Sequence, residues 1–445
     1  MTEQMKPSGI GWIKEIPQSW ELNKVKYLAT EQGTLFLDGD WIESDVIVES
    51  GIRYLTTGNV GAGFYKEQGS GYITLKTFDE LHCLKVFPGD LMISRLNEPI
   101  GRACIVPEGE DYYVVAVDNV ILRPNRAYDK KFIMYAMNTE GYAEHGNIIA
   151  RGATMSRVSR SQLGQFWLAF PKLKEQQQIA KFLDAQCAKI DGIIADIEKQ
   201  IDTLQKYKKS LITETVTKGL DKSAPMKNSK NKIIGMINAK WKVKKLKYIV
   251  ATPITDGPHE TPILLDDGIP FLSAESVKNG VLDFNYKRGY ISESDHRIFC
   301  RKIKPQKGDV FVVKSGATTG NVGKVITDEE FSIWSPLALI RCDNKTVLQD
   351  FIYYCTLSNY FRQEVELSWS YGTQQNIGMG VLGNLSVVIP SAKEQQTLVE
   401  FLNVETKKID NIINLKLSQL EKIQQHKKSL IYEYVTGKKR VTEVN

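Results

Sequence analysis

The sequence predicts an α+β fold in which two similar units, each followed by a long helix, form a pseudo-two-fold internal repeat. Three observations lead to this prediction: a repeat with a fixed offset, two segments with heptad periodicity, and short β-rich runs bounded by turn residues. At 445 residues the chain exceeds what one hydrophobic core usually supports. Its 42% hydrophobic and 25% charged residues are typical of a folded globular protein.

The repeat has an offset of 219 residues, because Lys174–Gln177 (K-E-Q-Q) recurs as Lys393–Gln396. The same offset carries F-L, K-I-D and K-K-S-L-I onto their second copies, at Phe182–Leu183, Lys189–Asp191, Lys208–Ile212, Phe401–Leu402, Lys408–Asp410 and Lys427–Ile431. Chance does not preserve one register over this length. A duplicated unit is therefore expected.

The repeat sets the expected domain boundaries. They are a first globular unit at 8–170, a long helix at 171–220, a linker at 221–232, a second unit at 233–390 and a second long helix at 391–440. The linker prediction rests on its polar composition and on Pro225. We expect this linker to be the preferred site of proteolysis.

The two helical segments carry matching apolar stripes with alternating steps of four and three residues. This heptad pattern predicts rods of roughly 64 Å at about 1.5 Å per residue. Antiparallel pairing of the two helices as a coiled coil is the favoured arrangement, since one small unit cannot cover so long a stripe. The alternative is that each stripe packs on its own unit. The seam positions are Leu183, Cys187, Ile190, Ile194, Ile197, Ile201, Leu204, Lys208 and Leu211, and Leu402, Thr406, Ile409, Ile413, Lys416, Leu420, Ile423, Lys427 and Leu430.

The globular units combine β-rich runs, such as Leu91–Ser94 and Val310–Val313, with short helical stretches at 131–140 and 347–358. Each unit is therefore predicted to be α+β. The six cysteines are scattered, which favours reduced thiols over a zinc module or disulfides. No apolar run is long enough for a membrane span and no signal pattern is present, so a cytoplasmic protein without a membrane partner is expected.

Patterns for catalysis are missing. Gly320–Val325 lacks the spacing of a nucleotide-binding loop, and no Asn-Pro-Pro-aromatic signature of adenine methylation occurs. The five histidines have no metal-ligand spacing, and Asp266-Asp267 is typical of a solvated turn. The sequence thus predicts a non-enzymatic protein with no catalytic residue, no metal and no cofactor of its own.

Polar loops after the β runs are the candidate DNA contacts, and the formal charge of +6 fits such a partner without requiring it. Loops 94–102 and 314–321 occupy equivalent positions after matching β runs but differ in their side chains. The same is true of loops 151–157 and 371–376, which precede the strand leading to each long helix. Arginine can bind guanine, glutamine or asparagine can bind adenine, and glycine lets the backbone approach phosphate. For any single residue, a solvated surface role is the alternative. The candidates are Arg95, Asn97, Arg102, Arg151, Thr154, Arg157, Lys314, Ser315, Thr318, Thr319, Gln374 and Gln375.

These features together resemble the specificity subunit of type I restriction-modification systems, over nearly the whole chain. The resemblance is carried by the twin K-E-Q-Q, F-L, K-I-D and K-K-S-L-I segments and by the frames G-D-L-M-I-S-R and G-D-V-F-V-V-K. Asp256–Pro262 also looks like an early loop of that family's target recognition domains, which adds His259 to the candidate DNA contacts. No such loop is obvious in the first half.

The resemblance implies two target recognition domains, each reading one half of a bipartite site in double-stranded DNA, with the helices as a spacer. It further implies two methylation subunits that bind S-adenosylmethionine and two motor-nuclease subunits that use ATP and magnesium. Two alternatives remain. One is a recognition subunit whose partner is a fused methyltransferase-nuclease, and the other is a coiled-coil scaffold that binds only proteins.

Overall fold

A computed structural model describes residues 4–68, 71–150, 156–371 and 375–441. The chain divides into two compact units, each α+β. Unit 1 comprises Met1–Ile197 and Ser418–Asn445, and unit 2 comprises Glu198–Leu417. Each long helix is thus shared between the units, so that each unit contains the start of one helix and the end of the other.

In its described residues, unit 1 has four sheets and four short α-helices before its long helix. Its strands are β1 Met5–Pro7, β2 Glu15–Pro17, β3 Glu21–Lys24, β4 Leu35–Asp38, β5 Ile52–Leu55, β6 Gly71–Ile73, β7 Leu91–Ser94, β8 Ala103–Ile105, β9 Val114–Val115, β10 Asn119–Arg123 and β11 Trp167–Phe170. Its helices are α1 Leu75–Glu80, α2 Lys130–Met137, α3 Glu140–Ile149, α4 Arg160–Gly164 and the first part of α5 Leu173–Lys218.

An antiparallel sheet with the order β4-β10-β7-β8 forms the centre of unit 1. A second sheet, β6-β5-β9, includes the parallel pair β5 and β9, and β3 pairs with β11 next to the start of α5. Strand β7 is buried along its whole length, which explains why its first three residues are all apolar. One face of the central sheet packs against α2 in the main core, which also contains Trp20 and Leu183.

Unit 2 repeats this plan. Its strands are β12 Met226–Asn228, β13 Met236–Asn238, β14 Lys242–Lys245, β15 Thr255–Asp256, β16 Ile269–Leu272, β17 Val277–Lys278, β18 Val281–Leu282, β19 Gly289–Ile291, β20 Val310–Val313, β21 Val322–Lys324, β22 Ser332–Ile333, β23 Leu337–Ile340, β24 Ser370–Tyr371, β25 Gln375–Asn376 and β26 Ser386–Ile389. Its helices are α6 Glu293–Phe299, α7 Gln349–Leu357, α8 Asn359–Leu367, α9 Met379–Gly383 and the first part of α10 Ala392–Val435.

The sheet orders show the duplication directly. In unit 2 the strands β15-β23-β20-β21 take the places of β4-β10-β7-β8, and β19-β16-β22 take those of β6-β5-β9. The hairpin of β17 and β18 extends the central sheet of unit 2 beyond this plan. Both the predicted repeat and the α+β class are therefore confirmed.

The segment interpreted as a linker, 221–232, contains a strand. Met226–Asn228 pairs with β13, as β1 pairs with β2 in unit 1, and the Ala239 amide donates to the Pro225 carbonyl. The polar composition of this segment fits a strand whose own residues stay largely exposed. The second copy of the fold thus begins inside the segment.

The long helices run antiparallel within unit 1. The rings of Phe182 and Tyr434 lie 4.5 Å apart, and Lys427 Nζ lies 2.6 Å from an Asp191 carboxylate oxygen, so position numbers rise along one helix as they fall along the other. Leu183 and Cys187 also belong to the main core of the unit. The stripe therefore covers both the partner helix and the globular part, which combines the two arrangements that the sequence left open.

The equivalent pairing occurs in unit 2. Lys208 Nζ lies 2.6 Å from an Asp410 carboxylate oxygen. Lys208 is the repeat counterpart of Lys427, and Asp410 is that of Asp191, each at the offset of 219 residues. In unit 2 the lysine therefore belongs to the first long helix and the aspartate to the second. Ile212 shares a core with Leu402. The seam lysines Lys208 and Lys427 thus each have an aspartate partner, which explains how these two charges are accommodated in an apolar stripe.

The first glutamine of K-E-Q-Q ties each long helix to its globular part. Gln176 is buried, accepts a hydrogen bond from the Asp129 amide at 2.8 Å and donates to the Pro171 carbonyl at 2.8 Å. Gln395 does the same with the Leu348 amide at 2.8 Å and the Pro390 carbonyl. This double role gives a structural reason for the same glutamine to recur in both copies.

Candidate nucleic-acid interface

Two of the loops predicted as DNA contacts meet in unit 1. Leu96 forms a bridge with Arg157, and the Asn97 amide donates to the Ser156 carbonyl at 3.0 Å. Loop 94–102 therefore lies beside the residues that precede α4, although about 60 positions separate the two segments in the sequence. The sequence predicted both loops but not their contact.

Arg95 is the centre of this cluster and not one of its tips. The residue is 5% exposed, its Nε lies 3.1 Å from Asp38, and its Nη1 donates to the Val158 carbonyl at 3.1 Å. Burial lowers the pKa of Arg95, while Asp38 acts in the opposite direction. The donors of Arg95 therefore hold the loops together in this structure, and a contact between Arg95 and a base stays a prediction.

Arg102 is also occupied. Its guanidinium donates five hydrogen bonds of 2.8–3.2 Å to main-chain carbonyls of Thr57, Val60, Leu96, Asn97 and Pro99. Burial lowers the pKa of Arg102. Arg102 thus acts as a clamp that ties loop 94–102 to the segment containing Thr57 and Val60. A contact between Arg102 and a base stays a prediction.

Asn97 and Arg157 are the exposed candidates of unit 1. Asn97 has a φ of 59°, a left-handed conformation that asparagine tolerates better than most residues. Arg157 has 48% of its side chain exposed and lies 2.9 Å from Asp118. An exposed ion pair of this kind is worth about 1 kcal/mol or less, so the guanidinium can exchange partners at little cost.

Unit 2 brings the equivalent loops together. Ser315 forms a bridge with Asn376, and each is 219 positions from its counterpart, Leu96 or Arg157. The Ile377 amide donates to the Lys314 carbonyl at 2.7 Å. The loop contact therefore belongs to the duplicated framework and not to one unit.

Lys314 takes the place of Arg95. Its Nζ lies 3.0 Å from Asp256, whose other oxygen lies 2.6 Å from Lys302 Nζ. Burial acts to raise the pKa of Asp256, but hydrogen bonds from Lys302 and Lys314 outweigh it and hold that pKa below its usual range. His259, with 70% of its side chain exposed, lies 3.1 Å from the same carboxyl group. His259 is thus placed at the surface beside a fixed negative charge.

The remaining candidates of unit 2 divide by exposure. Thr319 is fully buried, and its hydroxyl donates to the Gly316 carbonyl at 2.6 Å. Its contact with DNA stays a prediction. Thr318 is exposed at the tip of the loop, whereas Ser315 and Gln375 are half-buried. The Gln375 carbonyl accepts from the Gly316 amide at 3.1 Å. Arg151, Thr154 and Gln374 lie outside the described residues.

The first half does contain a counterpart of the Asp256–Pro262 loop. Asp38 pairs with β10 as Asp256 pairs with β23. The glycine that follows each aspartate has no room for a side chain, because an added Cβ would lie 2.2 Å from a main-chain carbonyl oxygen at Gly39 and 2.3 Å from one at Gly257. Sequence reading missed this because the shared letters are only Asp-Gly. An offset of 218 residues, one less than the main repeat, would have revealed it.

A glycine at one position of each loop explains part of the shared frame. Gly101 and Gly320 have φ values of +81° and +86°, and an added Cβ would come within 2.9 Å of Tyr142 or 2.7 Å of Arg362. Both the backbone conformation and the space require glycine here. The tips can therefore vary while the base of the loop cannot.

The geometry defines a class of protein. The chain consists of two copies of one α+β unit, and in each copy three loops cluster and expose polar side chains at their tips. Among the described residues, no group of His, Cys, Asp or Glu could hold a metal ion, and no helix is long and apolar enough to cross a membrane. The loop clusters offer hydrogen-bond donors and acceptors, with Asn97 and Arg157 in unit 1 and His259 and Thr318 in unit 2.

Comparison with known proteins identifies the family. The model of the type I restriction modification DNA specificity domain matches residues 38–203 and 238–424, so this chain belongs to that family. A putative type I restriction enzyme MjaX specificity subunit from Methanocaldococcus jannaschii is 26% identical over 83% of each chain. The MjaVIII specificity subunit from the same organism is 26% identical over 72% of this chain and 73% of its own length.

A solved structure from work on complex assembly and conformational transition of the type I R-M system supports the fold. It has a TM-score of 0.67 at 13% identity, and the match covers 95% of this chain and 99% of that one. The duplicated architecture deduced above is thus that of the family. The chain is a specificity subunit of the type I restriction-modification class.

Proposed function

We propose that this chain reads a bipartite target in double-stranded DNA, with one half-site bound by each unit. The observation that carries the proposal is that the same loop cluster is built twice on one framework with different exposed side chains. Identical frames fix where the loops meet DNA, and different tips select different bases. Each unit would therefore be a target recognition domain.

The exposed tips supply the chemistry for reading bases. Arg157 can form two hydrogen bonds with guanine once it leaves Asp118, and Asn97 can do so with adenine. His259 and Thr318 can each exchange hydrogen bonds with base edges. The buried Arg95 and the half-buried Lys314 would support these tips by fixing the loops, since a reading residue needs a rigid base.

The partners follow from the family and are part of the proposal. Type I assemblies would supply two methylation subunits with S-adenosylmethionine and two motor-nuclease subunits with ATP and magnesium, while this chain has no catalytic role. The long helices would dock these subunits and set the spacing of the half-sites. Because the substrate is DNA, we place the protein in the cytoplasm.

Methylation mapping tests the proposal. Cells that express this chain with its methylation subunit should modify one bipartite sequence, and replacing residues 8–170 with the equivalent domain of a relative should change one half-site only. Expression of the methylation subunit alone provides the control. A change in both half-sites would contradict the assignment of one half-site to each unit.

A further inference from the structure

A concentration of lysines marks the beginning of the second repeat. Residues 222–247 contain nine lysines and no aspartate or glutamate. The whole chain has a formal charge of only +6, so the residues outside this segment are net negative. The net positive charge of the protein therefore comes from one short stretch of sequence.

All nine lysines are exposed. In the part of the chain that the structure describes, none of their ammonium groups has an ion-pair partner, although Lys247 Nζ lies 5.2 Å from the centre of the Tyr248 ring. Elsewhere in unit 2, lysines such as Lys302 and Lys324 lie 2.6 Å from carboxylates. We call this set the lysine surface: Lys222, Lys227, Lys230, Lys232, Lys240, Lys242, Lys244, Lys245 and Lys247.

The fold does not require this charge. The matching segment of the first repeat, residues 1–26, has four lysines and three glutamates, yet it forms the same hairpin and the same strand beside the long helix. In that copy Lys24 Nζ donates to Gln165 at 2.7 Å. A charge that the framework does not need points to a ligand that only the second unit binds in this way.

The lysine surface adjoins the loop cluster of unit 2. A short helical turn, Leu246–Tyr248, packs against α9, and a Cβ on Gly383 would lie 3.5 Å from the Lys247 Cβ. Helix α9 begins two residues after Ile377, whose amide donates a hydrogen bond to the Lys314 carbonyl in that cluster. Along β14, Lys242 and Lys244 point to the same side with a spacing of about 6.8 Å.

We propose that the lysine surface binds the phosphate backbone of DNA next to the half-site read by unit 2, without reading bases. Lysine ammonium groups act as point charges on phosphate, whereas base recognition favours the fixed fork of arginine, and the surface contains no arginine. The inference rests on the proposed DNA-reading function. It adds that unit 2 contributes more of the salt-dependent affinity than unit 1.

The test uses the full chain and a labelled 30-base-pair duplex of random sequence. In the variant K242Q/K244Q/K245Q/K247Q, the slope of log affinity against log salt should become shallower by about 3 to 4, since each phosphate contact contributes about 0.9. When the salt concentration rises from 0.05 to 0.2 M, the affinity of the parent protein should therefore fall by a factor on the order of 100 larger than the affinity of the variant.

A matched variant removes the same charge elsewhere. K181Q/K189Q/K199Q/K422Q changes four exposed lysines of the long helices and should keep the parental slope. Equal slopes for the parent and the first variant would overturn the proposal. Unchanged DNA binding with weaker assembly of the methylation subunit would also overturn it, because the surface would then bind an acidic protein.

Methylation mapping separates this inference from the proposed function. The first variant, expressed with its methylation subunit, should modify the same two half-sites as the parent at a lower rate. A changed half-site would contradict the claim that the lysines read no bases. A parent complex that modifies no bipartite site would refute the proposed function, even if the salt slopes differ as expected.

Discussion

Replacing Arg102 by alanine should release loop 94–102 while leaving the rest of unit 1 folded. Three of its five bonds, to Thr57, Val60 and Leu96, are partly buried, and the other two are exposed. At about 1 kcal/mol for each partly buried bond, the loop should lose about 3 kcal/mol. A factor of ten in an opening equilibrium is about 1.4 kcal/mol, so the loop amides should exchange hydrogen on the order of 100-fold faster.

Hydrogen–deuterium exchange of the full chain, resolved to peptides covering 94–105, measures this change. Arg157→Ala is the matched control, because the Arg157 side chain is exposed and forms an ion pair with Asp118. Arg157→Ala should leave the hydrogen-exchange rates of this loop within a few-fold of the parent. It should weaken binding to the target sequence found by methylation mapping by about 1 to 3 kcal/mol. If Arg102→Ala kept parental exchange but altered the half-site, Arg102 would be a reading residue and our assignment of it as a clamp would be refuted.

Three further predictions concern unit 2. Asp309→Ala should lower the free energy of unfolding by about 3 kcal/mol in urea denaturation, because Asp309 is 2% exposed and its loss leaves Arg341 without its bidentate partner; an effect below 1 kcal/mol would argue against this. In the same assay, Gln395→Leu should lower the free energy of unfolding by about 2 to 3 kcal/mol, because Gln395 is buried and ties the long helix to the unit. Gln396→Leu, at the exposed neighbouring position, should lower it by less than about 0.5 kcal/mol. Equal effects of the two substitutions would contradict the role of Gln395 in joining helix and unit. Because the pKa of Asp256 is lowered in the folded state, its ion pairs should stabilise unit 2 above about pH 4 and lose this effect as the pH falls further through the folded pKa; acid titration of thermal stability should show a smaller dependence in Asp256→Asn.

The sequence determined the repeat, the two long helices and the loops that form the candidate interface. These features depend on local signals: the heptad spacing, the alternation of apolar runs with turn residues, and the fixed offset between K-E-Q-Q segments. The predicted seam lysines at 208 and 427 also lie in the helix pairs as expected, and each has an aspartate partner.

The tertiary structure alone decided which loop residues are exposed. Arg95, Arg102 and Thr319 have the polar side chains of reading residues, but they are held by distant groups, such as the Val158 carbonyl for Arg95 and the Val60 carbonyl for Arg102. Exposure depends on contacts between segments far apart in the chain, and sequence patterns report only short spacings. For the same physical reason, the sequence showed that each long helix needed a partner, but only the folded units showed that each stripe packs on a helix and a core together.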